Sequence, residues 1–177
     1  MQAEFQSLLD KQQIYEVLAT YCRGVDRCDI ELVRSAYHPD SYDDHGYWAG
    51  PGWEFADFVV QRLMEANTAT MHSLGNVLID ITEDGIARSE AYVTVTLVRR
   101  NTNPPKADVM GARYVDRLSK REGLWKIEER TVVLDWTKVE TWDDTAAAIP
   151  LDQFAWGERG NRRDPTYVML RFSTLQN

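Results

Sequence analysis

The sequence predicts an α+β fold, in which three N-terminal helices lie against a cone-shaped, curved antiparallel sheet and enclose a pocket. Two observations along the chain indicate this arrangement. Before residue 70 the apolar residues recur with helical spacing, and after it long stretches rich in Val, Ile, Thr and Tyr are separated by turn signals. With 177 residues, of which 44% are hydrophobic, the chain is long enough to bury one core.

The helices are predicted from apolar stripes and from residues that favour helix ends. Residues 7–24 form the first helix, and Gly24 stands where a C-terminal stop is typical. Asp29 is a favourable N-cap for a short second helix over residues 30–37. Residues 53–66 make a third amphipathic helix. The apolar stripe of the first helix contains Leu8, Ile14, Leu18 and Tyr21.

The strands follow from β-branched and aromatic stretches bounded by turns. Residues 40–52 are expected to form a short strand and a loop. Four long strands come after the third helix: 70–82, 86–100, 107–121 and 124–136. The turns between them are Glu83-Asp84-Gly85, Asn101 to Lys106, and Arg121-Glu122-Gly123. Long, twisted strands in consecutive hairpins curl into a cone, and such a cavity suits a small apolar ligand.

The chain is predicted to contain one domain and an extension. Residues 1–137 make the α+β cone, whereas residues 138–177 lack periodicity and are expected to pack irregularly on the same domain or on an oligomer partner. The strand segment 91–98 is apolar on both faces. We therefore expect a homodimer or a homotrimer that buries the outer face of the sheet.

Charge and composition exclude several functions. The chain has 20 basic and 28 acidic residues and a formal net charge of −8, which disfavours binding to nucleic acid. The sequence contains no run of 18 apolar residues, so no membrane span is predicted. The first residues lack a secretory signal, and a cytoplasmic protein is therefore expected. Cys22 and Cys28 are too few for a disulfide scaffold or a zinc site.

Two histidines stand out as candidates for chemistry. His72 lies at the start of the first long strand, where strand alternation predicts that it shares a face with Leu74 and Asn76. Asp26 follows the predicted end of the first helix, at the expected mouth of the cone. A neutral imidazole oriented by a carboxylate is a competent general base at neutral pH.

His45 is expected to share a face with Asp43 in an extended segment. A loop that caps the cone is favoured over a metal site there, because no second His or Cys cluster completes a ligand set. His38, before a proline, is expected to be a surface or capping residue.

Several segments together resemble the SnoaL-like branch of the nuclear transport factor 2-like superfamily. The resemblance covers about residues 7–137 and rests on the order and spacing of the segments. The segments are Tyr21-Cys22-Arg23-Gly24-Val25-Asp26-Arg27-Cys28-Asp29, Asp44-His45-Gly46, Thr70-Met71-His72, Gly111-Ala112-Arg113-Tyr114-Val115-Asp116-Arg117, and Gly123-Leu124-Trp125-Lys126-Ile127 with Arg130. The resemblance implies the same cone fold.

The resemblance also implies a lyase that needs no cofactor and no metal. The members it is similar to are scytalone dehydratase, hexachlorocyclohexane dehydrochlorinase and bile acid 7α-dehydratase, which use an Asp–His pair inside the cone. By position, the family's carboxylate falls on Asp26, its imidazole on His72, and a tyrosine five residues before the carboxylate on Tyr21. Scytalone dehydratase has a second pocket histidine that residues 86–100 lack, so its particular proton relay is not expected here.

Six further side chains are candidates for substrate binding, either as neutral hydrogen-bond donors or as aromatic walls. The arginine among them can hold a carboxylate or a polarised oxygen, but an ion pair with Glu90, Asp116 or Glu128 is the favoured interpretation for it. The six are Tyr47, Trp48, Trp53, Asn76, Tyr92 and Arg130.

The leading hypothesis is a cofactor-independent lyase or isomerase, such as a dehydratase or a dehydrohalogenase, acting on a small, largely apolar, cyclic or aromatic substrate. His72 is then the general base and later the acid, Asp26 its orienting partner, and Tyr21 a donor to the leaving or carbonyl oxygen. Two alternatives stay open. One is a non-catalytic binding or assembly subunit like the β subunits of ring-hydroxylating dioxygenases, and the other is a polyketide cyclase.

Overall fold

The computed structural model describes residues 2–82, 85–142 and 149–169. The helices are α1 (Gln2–Arg27), α2 (Ile30–Ser35), α3 (Gly52–Ala66) and α4 (Thr166–Met169), with a short 3-10 helix at Leu151–Gln153. The strands are β1 (Tyr37–Asp44), β2 (Ala49–Pro51), β3 (Asn67–Ile81), β4 (Ile86–Arg99), β5 (Lys106–Arg121) and β6 (Leu124–Thr141). Glu83 and Asp84 of the first predicted turn lie outside the described residues.

The predicted α+β class is confirmed, with α1, α2 and α3 packed against one curved, six-stranded sheet. The strand order is β2-β1-β6-β5-β4-β3, and the four long strands pair antiparallel with their neighbours as a meander. One feature of the sheet was not predicted: β1 runs parallel to β6. The backbone amide of Ile127 in β6 donates to the carbonyl of Ala36, just before β1, at 2.8 Å. The sheet is therefore mixed.

The first helix does not end at Gly24, contrary to the prediction. A Cβ at this glycine would lie 2.8 Å from both Cγ2 and the backbone nitrogen of Val33, so the glycine allows α2 to approach α1 closely. The helix ends instead at Arg27, where Cys28 takes a left-handed conformation with φ of 52°. The amide of Asp29 then donates to the Gly24 carbonyl at 2.9 Å, which closes the helix end. Asp26 thus lies in the last helical turn.

The helices bury their apolar stripes against the inner face of the sheet. Ile14, Leu18 and Tyr21 of α1 are all buried, whereas Leu8, predicted on the same stripe, is 64% exposed. His38 was expected at the surface, and this is wrong: it is buried inside β1, with Nε2 3.0 Å from the Ser119 carbonyl oxygen.

No helix in the described part of the chain is long and apolar enough to cross a bilayer.

Candidate active site

Asp26 and His72 meet where the last turn of α1 crosses β3. One carboxylate oxygen of Asp26 lies 2.7 Å from Nδ1 of His72, and the other accepts a hydrogen bond from the His72 backbone amide at 2.8 Å. The carboxylate thus fixes both the main chain and the ring of the same residue. The side chain of Asp26 is 14% exposed and that of His72 is 10% exposed, so the pair is sheltered but still accessible to a small molecule.

This geometry determines which imidazole nitrogen can act as a base. A carboxylate only accepts hydrogen bonds, so Nδ1 of His72 carries a hydrogen atom and donates a hydrogen bond to Asp26. Nε2 then holds the lone pair, and it makes no hydrogen bond to the described residues. A proton taken by Nε2 would create an imidazolium that the Asp26 carboxylate stabilises.

The two side chains line a cavity of about 470 Å³ between α1, β3 and the C-terminal extension. Its walls combine apolar side chains with charged ones. The lining residues are Tyr15, Ala19, Cys22, Arg23, Asp26, Arg27, His72, Leu74, Asp164 and Thr166. A volume of this size accommodates a small cyclic molecule beside the dyad.

Tyr21 is not among these residues, although the sequence placed it with the dyad. Residues five apart on a helix lie about 140° apart around its axis, so Tyr21 and Asp26 face different sides of α1. The Tyr21 ring is buried, packs edge-on against Tyr37 and Tyr114, and its hydroxyl lies 3.2 Å from Nε2 of His45. Burial raises the pKa of the Tyr21 phenol well above its ordinary value.

The six candidate substrate-binding residues also lie away from this cavity. Asn76 was expected to share a face with His72 and Leu74, but a register shift between Leu74 and Val77 breaks the alternation and leaves Asn76 exposed. Tyr92, from β4, is 48% exposed on the opposite face of the sheet. Strand alternation holds as far as Leu74, which lines the cavity together with His72, and fails past the bulge.

Three of the predicted aromatic residues lie in or beside α3 instead of at the dyad. Trp48 packs against Phe58, with ring centroids 6.0 Å apart. Tyr47 is 60% exposed and lies under the guanidinium of Arg62. Trp53, also partly exposed, donates from its indole nitrogen to the Tyr37 carbonyl at 3.4 Å.

Arg130 forms the ion pair that the sequence favoured. Its guanidinium makes two hydrogen bonds of 2.7 Å to the carboxylate of Asp116, its direct neighbour across β5 and β6. Both side chains are fully buried, and the guanidinium lies about 4 Å from the ring centroids of Tyr21 and Tyr114. Burial, the largest single effect, would lower the pKa of Arg130, but the Asp116 carboxylate together with Tyr37 and Tyr21 outweighs it, so that the pKa is raised. Arg130 therefore belongs to the core and does not reach the cavity.

A second Asp–His pair lies within this core. Nδ1 of His45 forms a short hydrogen bond with the carboxylate of Asp43, and the hydroxyl of Tyr37 donates to the same carboxylate at 2.6 Å. Asp43 is fully buried, and the His45 ring stacks on Phe55 at 4.1 Å between centroids. The sequence spacing had indicated that Asp43 and His45 share a face, but not that they pair.

Sequence reasoning missed most of the cavity wall. Tyr15, Ala19 and Cys22 precede Asp26 at helical spacing of three or four residues, so extending the stripe from Asp26 towards the N-terminus would have identified them. Asp164 and Thr166 come from the extension, where the sequence carries no periodic signal. Burial raises the pKa of the Cys22 thiol to about 12, so it lines the cavity as a neutral group.

Across residues 2–82, 85–142 and 149–169, no group of three or more His, Cys, Asp and Glu side chains is arranged to hold a metal ion.

Comparison with known proteins places most of the chain in one family. Residues 6–131 match the family model described as SnoaL-like domain. No curated protein is similar enough in sequence to give a significant match.

Several solved structures share the fold at low sequence identity. A protein provisionally named scytalone dehydratase, from Novosphingobium aromaticivorans DSM 12444, is 17% identical with a TM-score of 0.68 over 75% of this chain and 88% of its own. Hexachlorocyclohexane dehydrochlorinase LinA-type3 from Novosphingobium barchaimii LL02 is 15% identical with a TM-score of 0.69, covering 77% and 94%. A protein provisionally named aromatic ring hydroxylase, from Novosphingobium aromaticivorans DSM, is 20% identical with a TM-score of 0.67, covering 76% and 94%.

Proposed function

Because this chain belongs to the SnoaL-like domain family, we propose that it is a cofactor-independent lyase or isomerase acting on a small, largely apolar, cyclic substrate. The observation that carries the proposal is the pair of hydrogen bonds from His72 to the Asp26 carboxylate at the wall of a cavity. Similar structures named as a dehydratase and a dehydrochlorinase support an elimination reaction.

In the proposed reaction, Nε2 of His72 removes a proton from a ring carbon of the substrate. The electron pair of that C–H bond forms the new C=C bond as the bond to the leaving group on the adjacent carbon breaks. Halide leaves as an anion, whereas a hydroxyl leaves as water after taking the proton back from the imidazolium. The Asp26 carboxylate stabilises the imidazolium, and a positioned base of this kind contributes about 10²–10⁴-fold in rate.

The test is turnover with two classes of cyclic substrate. The purified protein is incubated with hexachlorocyclohexane and with scytalone, while chloride release and loss of water are followed by ion chromatography and mass spectrometry. We expect turnover of at least one class that His72→Ala removes. Activity that His72→Ala leaves intact, or no elimination from either class, would contradict the proposal.

A second candidate is a non-catalytic binding or assembly subunit. Tyr21, the expected donor to the leaving or carbonyl oxygen, does not line the cavity, and this observation favours it. In that case the cavity binds cyclic compounds without converting them. Binding of scytalone by calorimetry with no product after long incubation supports this candidate over the enzyme.

We also propose that the protein assembles as a homodimer or homotrimer through the outer face of the sheet. Val93 and Val95 of β4 point inwards and are buried, while the face that carries Tyr92 remains open. Exposed large apolar side chains on this outer face support the assembly: Met71, Leu78, Tyr92, Val115 and Trp136. Light scattering should give two or three times the chain mass of 20.4 kDa, and a single-chain mass at high concentration would contradict the assembly.

A further inference from the structure

We infer that residues 157–167 form the wall of the cavity that limits substrate size, with Thr166 as the residue that contacts the substrate and Asp164 as the residue that positions it. The kind of substrate that this wall selects rests on the proposed function, whereas the wall itself is inferred from contacts within the protein alone. The segment lies beyond residue 131, where the family match ends. It is therefore an addition to the shared domain.

Arg159 joins the extension to the elements that carry the dyad. Its Nε donates to the carbonyl of Asp26 at 3.2 Å, and Nη1 donates to the carbonyl of Asn67, the first residue of β3, at 3.0 Å. Its Nη2 lies 3.0 Å from the sulfur of Cys28 and 3.3 Å from the Leu63 carbonyl of α3. One side chain thus links the end of α1, the end of α3 and the start of β3.

Asp164 organises the part of the segment that reaches the cavity. Its buried carboxylate accepts hydrogen bonds from Arg27 at 2.8 Å and from the backbone amides of Glu158 and Thr166 at 3.1 and 3.0 Å. The hydroxyl of Thr166 donates to it as well. These bonds, led by that from the Thr166 hydroxyl, hold the pKa of Asp164 well below its ordinary value. The carboxylate is therefore ionised and fully engaged within the protein.

The same bonds fix how Thr166 lies against the cavity. Its hydroxyl donates to Asp164 and accepts from Nη2 of Arg23 at 3.1 Å, so both neighbours hold the side chain in one orientation. Tyr167 adds a further anchor, since its hydroxyl donates to Asp29 at 2.8 Å. Because Thr166 and His72 line one cavity, the volume at Thr166 limits the room left for a substrate beside the dyad.

The wall is tested without any substrate by the rate at which diethyl pyrocarbonate modifies His72, read by mass spectrometry of the full-length protein. Asp164→Ala and the isosteric Asp164→Asn should release the segment and speed the modification of His72 by about fivefold or more, because local opening exposes Nε2. His38 and His45 in the same molecule serve as internal references and should keep their rates. The matched control is Arg163→Ala, because the Arg163 side chain is exposed and contacts Glu158 and Asn161 at the surface.

Circular dichroism identifies any variant that unfolds. If Asp164→Ala unfolds, the milder Asp164→Asn still provides the test. Equal rates of His72 modification in the wild type and in a folded Asp164 variant would overturn the inference that this segment forms the cavity wall. This result is independent of turnover, so it is distinguishable from a failure of the proposed function.

The role in selection is tested with a substrate once turnover is established. Thr166→Ser removes one methyl group and keeps the hydroxyl, so it should shift preference about threefold or more towards a bulkier ring. Asp164→Asn should raise KM about tenfold and leave kcat within about twofold, because it loosens the wall but not the base. A fall in kcat at constant KM, or unchanged preference in Thr166→Ser, would overturn the inference.

Discussion

The protein contains two Asp–His pairs with the same local chemistry and different surroundings. In each, a carboxylate holds Nδ1 of an imidazole. His72 lines a cavity of about 470 Å³, whereas His45 is stacked on Phe55 and its Nε2 lies 3.2 Å from the hydroxyl of Tyr21. The comparison teaches that a carboxylate–imidazole pair is not by itself a site, because the second nitrogen must also be open to a ligand.

The second pair is part of a polar row across the sheet. Asp43 of β1 is opposite Arg130 of β6, which is opposite Asp116 of β5, and Asp116 is opposite Ser89 of β4. Every member is buried. Buried charges of this kind persist only when they are paired, so we expect changes here to alter stability, whereas changes at His72 alter chemistry.

The largest expected effect is on turnover in His72→Ala. Without the general base, the rate should fall by about 10²–10⁴-fold, while the free energy of unfolding changes by about 1 kcal/mol or less. The rate is measured with whichever cyclic substrate the wild type converts, and stability by urea denaturation. A variant that keeps more than a tenth of the wild-type rate would remove the distinction between the two pairs.

Next comes Arg130→Met, which leaves the Asp116 carboxylate buried without its partner. We expect the free energy of unfolding to fall by about 3–5 kcal/mol. Urea denaturation measures the loss, and the double variant Arg130→Met with Asp116→Leu should recover most of it. A single variant as stable as wild type would show that the polar row does not depend on this ion pair.

A smaller effect is expected for His45→Phe, which keeps the stack on Phe55. It removes the hydrogen bonds to Asp43 and Tyr21, so the free energy of unfolding should fall by about 1–3 kcal/mol. Turnover should stay within about threefold of wild type. Loss of turnover in a fully stable variant would mean that both pairs take part in the reaction.

The smallest effect is a pH dependence at Asp164. Its pKa is lowered in the folded protein from an ordinary value of 3.8, so its ionised form stabilises the folded state above that pH. The stability difference between wild type and Asp164→Asn should be about 1 kcal/mol at pH 6 and should shrink as the pH falls below about 3.8. Denaturation at several pH values checks this, and a difference that stays constant down to pH 2.5 would contradict it.

The sequence predicted the long strands well because tight turns have local chemical signals. Glu122 and Gly123 between β5 and β6 both have positive φ, as a short hairpin requires. The same local logic failed at Gly24, because a glycine that permits close packing looks the same in sequence as one that ends a helix. Long-range contacts decide between the two.

For the site, the sequence identified the residues of the dyad but few of their neighbours. Asp26 and His72 were found from a resemblance and from strand alternation, and the structure brings them into hydrogen-bond contact. Tyr21 was assigned by its position before Asp26, although helical geometry directs it elsewhere. Arg159 and Asp164 were not found, because an irregular segment gives no periodic clue to which side chains point inwards.

The parallel pairing of β1 with β6 has a consequence for the order of folding. Strands β3 to β6 are joined by short hairpins and can form from local contacts, whereas β1 must close a long loop to reach β6. Until it does, β6 presents an unpaired edge to other chains and Arg130 lacks its Asp43 neighbour. We expect the amide of Ile127, which bonds to Ala36, to gain protection from hydrogen exchange later than the amides shared by β4 and β5 during refolding.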